Sequence, residues 1–326
     1  MKRFLIFSST CWVGVALWAQ DTQSLDLTSV RIQSEAARTI LKAGQIRVRN
    51  QRTTYMPKGA LSVLKTEAPS RKACEETLTR LVTIHGQKPT RVKMLGGLMS
   101  MPSKDAAVWV HPASGGCKYT STKDSMTQPA RFKDFKEAVQ KGLDFIAQHG
   151  LVTLMDGEEL DIASVSVVNN VLSNVEKPED PLEQFQSDYY VSFGRRFRDV
   201  PLVGSHITLR FAGEGRVAMI SKNWRPITAV EASVPLREEK IEDLIFQSPE
   251  FREAYANRNL SPKDIHIAYV RAGYIEAPFD YAQERIRPGV LVSFWVGEAR
   301  SEMDGELLLP LEKDRDSAAL LGQRKQ

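Results

Sequence analysis

Apolar residues recur at helical spacing along several stretches of the chain. Arg71 to His85 places Cys74, Leu78, Leu81 and Val82 on one side, and Gly86 follows as a stop. Arg131 to His149 carries Phe132, Phe135, Ala138, Val139, Gly142, Leu143 and Ile146 as a single stripe, with Gly150 placed to end it. Arg237 to Phe246, behind Pro235, gathers Ile241, Leu244 and Ile245, and Pro249 to Tyr255 adds a second short helix. A further short helix is expected over Ser34 to Lys42, with Ala36, Ala37, Ile40 and Leu41 on one side.

Between these stretches the pattern changes to β-branched runs and alternation. Ile46 to Val48, Tyr55 to Leu64, and the pair Thr90 to Met101 and Ala106 to His111 read as strands. So do Leu151 to Met155 and Leu160 to Val168, on either side of Asp156-Gly157. Tyr189 to Arg198 alternates, and Ser205 to Phe211 with Arg216 to Ser221 forms a hairpin about Ala212-Gly213-Glu214-Gly215. Ile265 to Tyr274, Gly289 to Val296 and Glu306 to Leu309 complete the set. Pro112 to Pro129 reads as a linker or long loop, Ser173 to Ser187 as a loop, and residues 312 to 326 as a frayed polar tail. Helix followed by strands occurs at least twice. The expected class is α+β: tandem units, each an amphipathic helix packed on a small antiparallel sheet. The expected divisions are residues 20–128, 129–230 and 231–311.

The first nineteen residues read differently. Met1-Lys2-Arg3 is positive, Phe4 to Ala19 is mostly apolar, and Gln20-Asp21 opens a polar stretch. These are the parts of a cleavable signal peptide, and the run is shorter than the roughly 20 apolar residues of a membrane anchor. The expected location is therefore exported, periplasmic or secreted, with no transmembrane segment after signal removal.

Composition narrows the function classes. Hydrophobic residues make up 42% and charged residues 26%, an ordinary globular balance. Removing Lys2 and Arg3 leaves 42 basic and 40 acidic residues. That balance argues against nucleic acid as a partner and gives no reason to expect docking on an anionic membrane. Cys74 and Cys117 remain after Cys11 leaves with the signal, and an even pair in an oxidising compartment reads as a disulfide. The loop it closes, about 43 residues, is worth on the order of 4 kcal/mol in the chain-entropy model. The alternative is a thiol nucleophile, Cys117 following Gly115-Gly116, but no His stands at a telling spacing to either thiol.

Catalytic patterns do not assemble. The five His, at 85, 111, 149, 206 and 266, include no pair at i+2, i+3 or i+4, so no metal and no cofactor is expected. His85 and His149 precede glycines at helix ends, where a partly cationic ring suits the dipole. His206 and His266 fall in strands, and His111 is the least explained. Ser114-Gly115-Gly116 and Gly204-Ser205-His206 lack the G-x-S-x-G elbow. The best positive candidate is the cluster Arg195, Arg196, Arg198, Arg210 and Arg216, with Trp224. On one sheet face it could hold a carboxylate-bearing partner segment through bidentate pairs. A solvated face with local acidic neighbours is the competing reading.

Tyr190-Val191-Ser192-Phe193-Gly194-Arg195-Arg196-Phe197-Arg198, then Asp199-Val200-Pro201-Leu202-Val203-Gly204, then Ile207 to Val217 form a recognisable order. A Phe/Arg strand meets a Val-Pro turn, a strand, a glycine-centred hairpin and another strand. About residues 130–228 this resembles the PepSY and FTP propeptide modules of secreted metalloproteases, with a weaker second copy about 231–310. The resemblance implies a helix-on-sheet fold and a non-catalytic role: restraining a protease, aiding its folding, or binding in the cell envelope. No H-E-x-x-H stands in the chain, so no protease domain accompanies the modules. Pro201 and Gly204 are expected to let the chain reverse between strands.

The resulting expectation is an exported, non-catalytic binding or inhibitor-like module. Its partner would be a protein or peptide, such as a secreted peptidase. The alternatives are an exported hydrolase with an unrecognised site, for which a deep pocket at His111 or His206 would speak, and a structural component of an exported assembly.

Overall fold

The helices expected from periodicity form close to their expected places, and each has a local reason to begin there. The computed structural model describes residues 56–123, 132–173, 181–297, 305–313, 318–321 and 323–324. The signal peptide, the helix over Ser34 to Lys42 and the strand at Ile46 to Val48 lie outside these residues. Helix α1 (Arg71–Ile84) starts where the Ser70 side chain accepts from the Ala73 amide, and α2 (Phe135–Gln148) where Asp134 accepts from Glu137. Helices α3 (Ile241–Gln247) and α4 (Pro249–Ala254) are short and follow each other directly, with Ser248 capping the second. A last turn of helix, α5, spans Ala318–Leu321.

Strands dominate the rest. They are β1 (Ala60–Thr66), β2 (Lys93–Leu95), β3 (Leu98–Ser100), β4 (Ala106–Val110), β5 (Cys117–Ser121), β6 (Glu158–Ser173), β7 (Pro181–Phe197), β8 (Val200–Ala212), β9 (Arg216–Asn223) and β10 (Ile227–Pro235). After α4 come β11 (Ile265–Ile275), β12 (Tyr281–Ala282), β13 (Arg285–Val296), β14 (Gly305–Pro310) and β15 (Gln323–Arg324). Thirteen of them join one mixed sheet, ordered β10-β1-β13-β11-β8-β9-β5-β4-β3-β2, with β14 on β13 and β6-β7 on β8.

This sheet overturns the tandem α+β reading and the PepSY/FTP resemblance together. Separate helix-on-small-sheet units would leave each sheet with its own edges, and unpaired edges are a liability. Here strands pair across the expected divisions. β5, from the expected first region, pairs β9; β1 pairs β10 and β13; and β8 meets β11 in parallel at Leu202–Tyr274 and Val203–Ile275.

Gly204 makes that parallel junction possible. Its φ is 95°, and a Cβ there would lie 2.2 Å from the Glu276 carbonyl oxygen. The Glu276 amide donates to the Val203 carbonyl at 2.8 Å. The expected reversal at Pro201 and Gly204 is therefore a strand segment, and the turn falls earlier, at Arg198 and Asp199, both with positive φ.

Other differences have similar causes. β5 lies inside the segment expected to be a linker: Cys117, Tyr119 and Ser121 alternate inward, but Lys118 and Thr120 between them hid the pattern. Pro181 to Gln186 extends β7 rather than forming a loop, and Leu151 to Met155 is not a strand. The tail is not wholly frayed, since Leu320 is buried and its carbonyl accepts from Gln283 at 2.6 Å.

Three apolar clusters hold the layers. In the largest, α1 and α2 lie on the face formed by β3, β4, β5 and β7 to β9, with Leu78, Leu81, Val139 and Ile146 against Tyr119, Phe193, Leu209 and Ile220. The second sets Leu244, Ile245 and Phe251 against Val290, Val292 and Phe294. The third fills the junction with Leu64, Phe197, Leu202, Tyr274 and Ile286.

The expected disulfide is absent: Cys74 and Cys117 are free thiols, both buried in the largest cluster. Each acts as a small apolar side chain, one under α1 and one at the start of β5. Burial pushes both thiols up, and the Lys222 ammonium opposes this at Cys117.

Candidate functional site

The residues singled out as a binding cluster separate into a buried network and scattered surface positions. Arg195 and Trp224 come together. The Arg195 guanidinium lies 4.7 Å from the Trp224 ring, and both are buried. Arg195 donates to Glu158 at 2.7 Å, Glu276 at 2.7 Å, the Ser205 hydroxyl at 2.9 Å and the Arg225 carbonyl at 2.8 Å. Ser205 also donates to Glu276. Arg225 completes the network, its Nη1 3.3 Å from Glu276 and donating to the Ala277 carbonyl, its Nη2 donating to the carbonyls of Pro278 and Tyr281. Two cations and two carboxylates balance there. Burial still pushes the Glu158 carboxyl up, although Arg195 and the Met155 amide pull it down.

This network clasps the segment after β11 onto β8 and β9. Asn223 joins it, donating to the carbonyls of Gly204 and Ala277, each at 3.0 Å. With no exposed charge it cannot receive a carboxylate-bearing partner.

The remaining members lie apart. Arg196 is paired with Asp161 at 2.7 Å, Arg198 is exposed over the Phe197 ring, and Arg210 lies 3.9 Å from Asp188. Successive residues of a strand point to opposite faces, so Arg195 and Arg196 could never share one. Arg216 alone reaches a cavity.

That cavity, of about 560 Å³, opens between α1, α2 and the sheet. Its position follows from the helix ends. α1 stops because Gly86 turns with φ 68° and its amide returns to the Thr83 carbonyl. The stop leaves His85 flat on Tyr119 of β5, with ring centroids 3.8 Å apart and planes 4° from parallel. Ser121 follows on the same face of β5, and Phe211, Val217, Ile84 and Phe145 supply apolar wall.

The rim carries charge. Lys123 pairs with Asp105 at 2.7 Å, and Arg216 lies 3.9 Å from Glu214. Lys141, one turn before Phe145 on α2, holds its ammonium 5.7 Å above the Phe132 ring and has no carboxylate partner among the described residues. Gly215 leaves room for it: a Cβ there would lie 2.4 Å from Lys141 Nζ. Three cations against one lining carboxylate give the cavity a net positive rim over an apolar and aromatic floor.

The imidazoles occupy other places than the hydrolase reading requires. His85 and His149 cap their helices, and burial pushes His149 down, so its ring favours the neutral form and not a cation on the dipole. His111 is buried beside Phe279, pushed down chiefly by burial and further by Arg225, against Asp280. His206 turns its Nδ1 to the Gly204 carbonyl, and His266 stacks on Trp295. Neither His111 nor His206 lines the cavity; His85, Asp105 and Ser121 do. Among the described residues no three metal-ligating side chains gather, and no helix is long and apolar enough to cross a membrane.

Of the cavity residues, Arg216 and His85 stood out in the sequence, and Lys141, Lys123 and Tyr119 did not. Lys141 lies on the polar side of a helix whose apolar stripe was the visible signal. Tyr119 lay within the segment read as linker.

No protein-family model matches the chain, and no curated protein matches it. Among solved structures, an uncharacterized protein from Eubacterium rectale ATCC 33656, solved at 1.45 Å, is similar with a TM-score of 0.41 and 10% sequence identity, covering 87% of this chain and 89% of that one.

Proposed function

We propose that the chain is a non-catalytic binding protein that takes a carboxylate-bearing ligand with an apolar or aromatic body, a peptide segment of a partner first of all. One observation carries the reading: Lys141 and Arg216 stand over a cavity floored by the stacked His85 and Tyr119. Pockets that bind ligands are mostly apolar with a few placed polar groups, and this one has that division. A carboxylate would meet the cations at the rim while its neighbour side chain lies on Phe145. Action outside the cytoplasm belongs to the same proposal and is supported by residues 1–19 alone, since the thiols lend it nothing.

The test is selection from a random heptapeptide library on the full chain. Recovered peptides should combine Asp or Glu with an aromatic residue, and Lys141→Glu with Arg216→Glu should abolish their recovery. Recovery of no peptide, or of peptides indifferent to the double charge reversal, would refute the reading. His85, Asp105 and Ser121 in the same wall favour hydrolysis as the second reading. It predicts cleavage of recovered peptides that Ser121→Ala and His85→Ala both stop.

A further inference from the structure

A second surface, independent of the cavity, is marked by exposed apolar side chains that gather at one end of the sheet. Among the described residues the exposed large hydrophobic side chains are Met94 (58%), Leu95 (72%) and Phe279 (39%). Met94 and Leu95 form the tip of the β2–β3 hairpin, at the end of the strand order, where Leu95 faces Leu98 across the Gly96-Gly97 turn. Register extends the surface. Lys93 pairs with Ser100, Ser100 with Trp109 and Trp109 with Lys118, so these side chains share one face with Leu95 and Leu98. Phe279 joins them, its ring 5.0 Å from Trp109. On the opposite face Met99, Val110 and Cys117 are sealed in the core beneath α1, and Met94, paired with Met99, stands exposed beyond them at the tip.

The chain running into and out of this hairpin carries charge of one sign. No Asp or Glu occurs between Glu76 and Asp105, while Arg80, Lys88, Arg91, Lys93 and Lys104 do. Lys88, Arg91 and Lys93 are exposed, and none has a carboxylate partner among the described residues. The acid at this end is Asp280, half-buried next to Phe279, and its charge acts on His111 and Arg225 behind it. A near-neutral whole chain hides this local excess.

We infer that the β2–β3 hairpin docks the protein on an anionic lipid surface. The apolar tip enters the headgroup region, Trp109 and Phe279 lie at the level aromatic side chains prefer, and Lys93 on β2, with Arg91 two residues before it, meets lipid phosphates. A protein partner fits less well. A stable protein interface covers about 800 Å² on each side with an apolar centre, whereas a few exposed side chains with adjacent cations suffice at a bilayer.

The test is cosedimentation of the full chain with vesicles of phosphatidylcholine, with and without about a third of phosphatidylglycerol. Binding should favour the anionic vesicles at least tenfold or so and should vanish in about 1 M NaCl, where the screening length is near 3 Å. Each cation removed should weaken it by about fivefold, so Arg91→Glu with Lys93→Glu should weaken it by more than about tenfold. Leu95→Ser should weaken it independently; both variants alter exposed side chains, and unchanged near-ultraviolet dichroism checks that they fold. Equal binding to both vesicles, no binding, or binding untouched by either variant, as attachment through residues 4–19 would give, overturns the inference.

Discussion

Replacing Arg195 with methionine tests the buried junction most directly. Methionine keeps much of the apolar stem but removes every donor. Arg195 makes two charged contacts, to Glu158 and Glu276, each at 2.7 Å, with side chains that are 0%, 2% and 0% exposed respectively. The two carboxylates fare differently afterwards. Glu276 keeps Arg225, whose amide donates to it at 2.7 Å, and Ser205. Glu158 keeps only the Met155 amide, also at 2.7 Å, among the described partners. The variant therefore strands one buried charge, a loss of about 3–5 kcal/mol. With a urea m-value of about 3 kcal/mol per M, the midpoint should fall by more than about 1 M. Unfolding followed by tryptophan fluorescence also reports the site, because Trp224 lies against the guanidinium. Adding Glu158→Gln removes the stranded charge and should recover about 2 kcal/mol. A midpoint shift below about 0.3 M, or a double variant no more stable than the single one, would refute the account of a dry, mutually dependent network.

Two further outcomes follow from burial. His111 and His149 both have pKa values pushed below 6.5 in the folded chain, so the unfolded chain binds more protons; the stability they contribute is complete above pH 6.5 and is lost as pH falls below it. Urea midpoints measured just below pH 6.5 should decline with acid, and His111→Gln with His149→Asn should flatten that decline; an unchanged slope would refute the assignment. Cys74 and Cys117, both buried and with thiols pushed up, should resist a thiol reagent in the native protein and react in denaturant; a cross-linked Cys74–Cys117 peptide from unreduced protein would contradict this.

Local order was legible from residues, and long-range pairing was not. Gly86 and Gly150 mark helix ends, both with positive φ, because a helix stop is a contact between near neighbours; the caps Ser70 and Asp134 are equally local but were not read, and α2 begins four residues after Arg131. The turn at Gly213 to Gly215 was likewise readable from its glycines. The apolar stripes of α1 and α2 were visible because helical period depends only on spacing. The acid-free stretch from Thr77 to Lys104 was also there to be read, although averaging charge over the chain concealed it.

Which strands meet is another kind of fact. A strand's alternation says that one face is buried and is silent about which edge it joins, since backbone donors and acceptors are the same in every residue but proline. Hence β1 with β10 and β13, β5 with β9, and β8 with β11 came only from the folded chain, and with them the single mixed sheet. The same pairing decided chemistry. It buried Arg195 and Trp224 between two carboxylates and set Arg216 beside Lys141, more than seventy residues away in the chain. Sequence alone determined the apolar stripes of the helices, their glycine stops and the opening export-like pattern. Tertiary structure decided which charges are sealed, which face a cavity, and which two cysteines remain thiols, because burial and distance are properties of the packed chain.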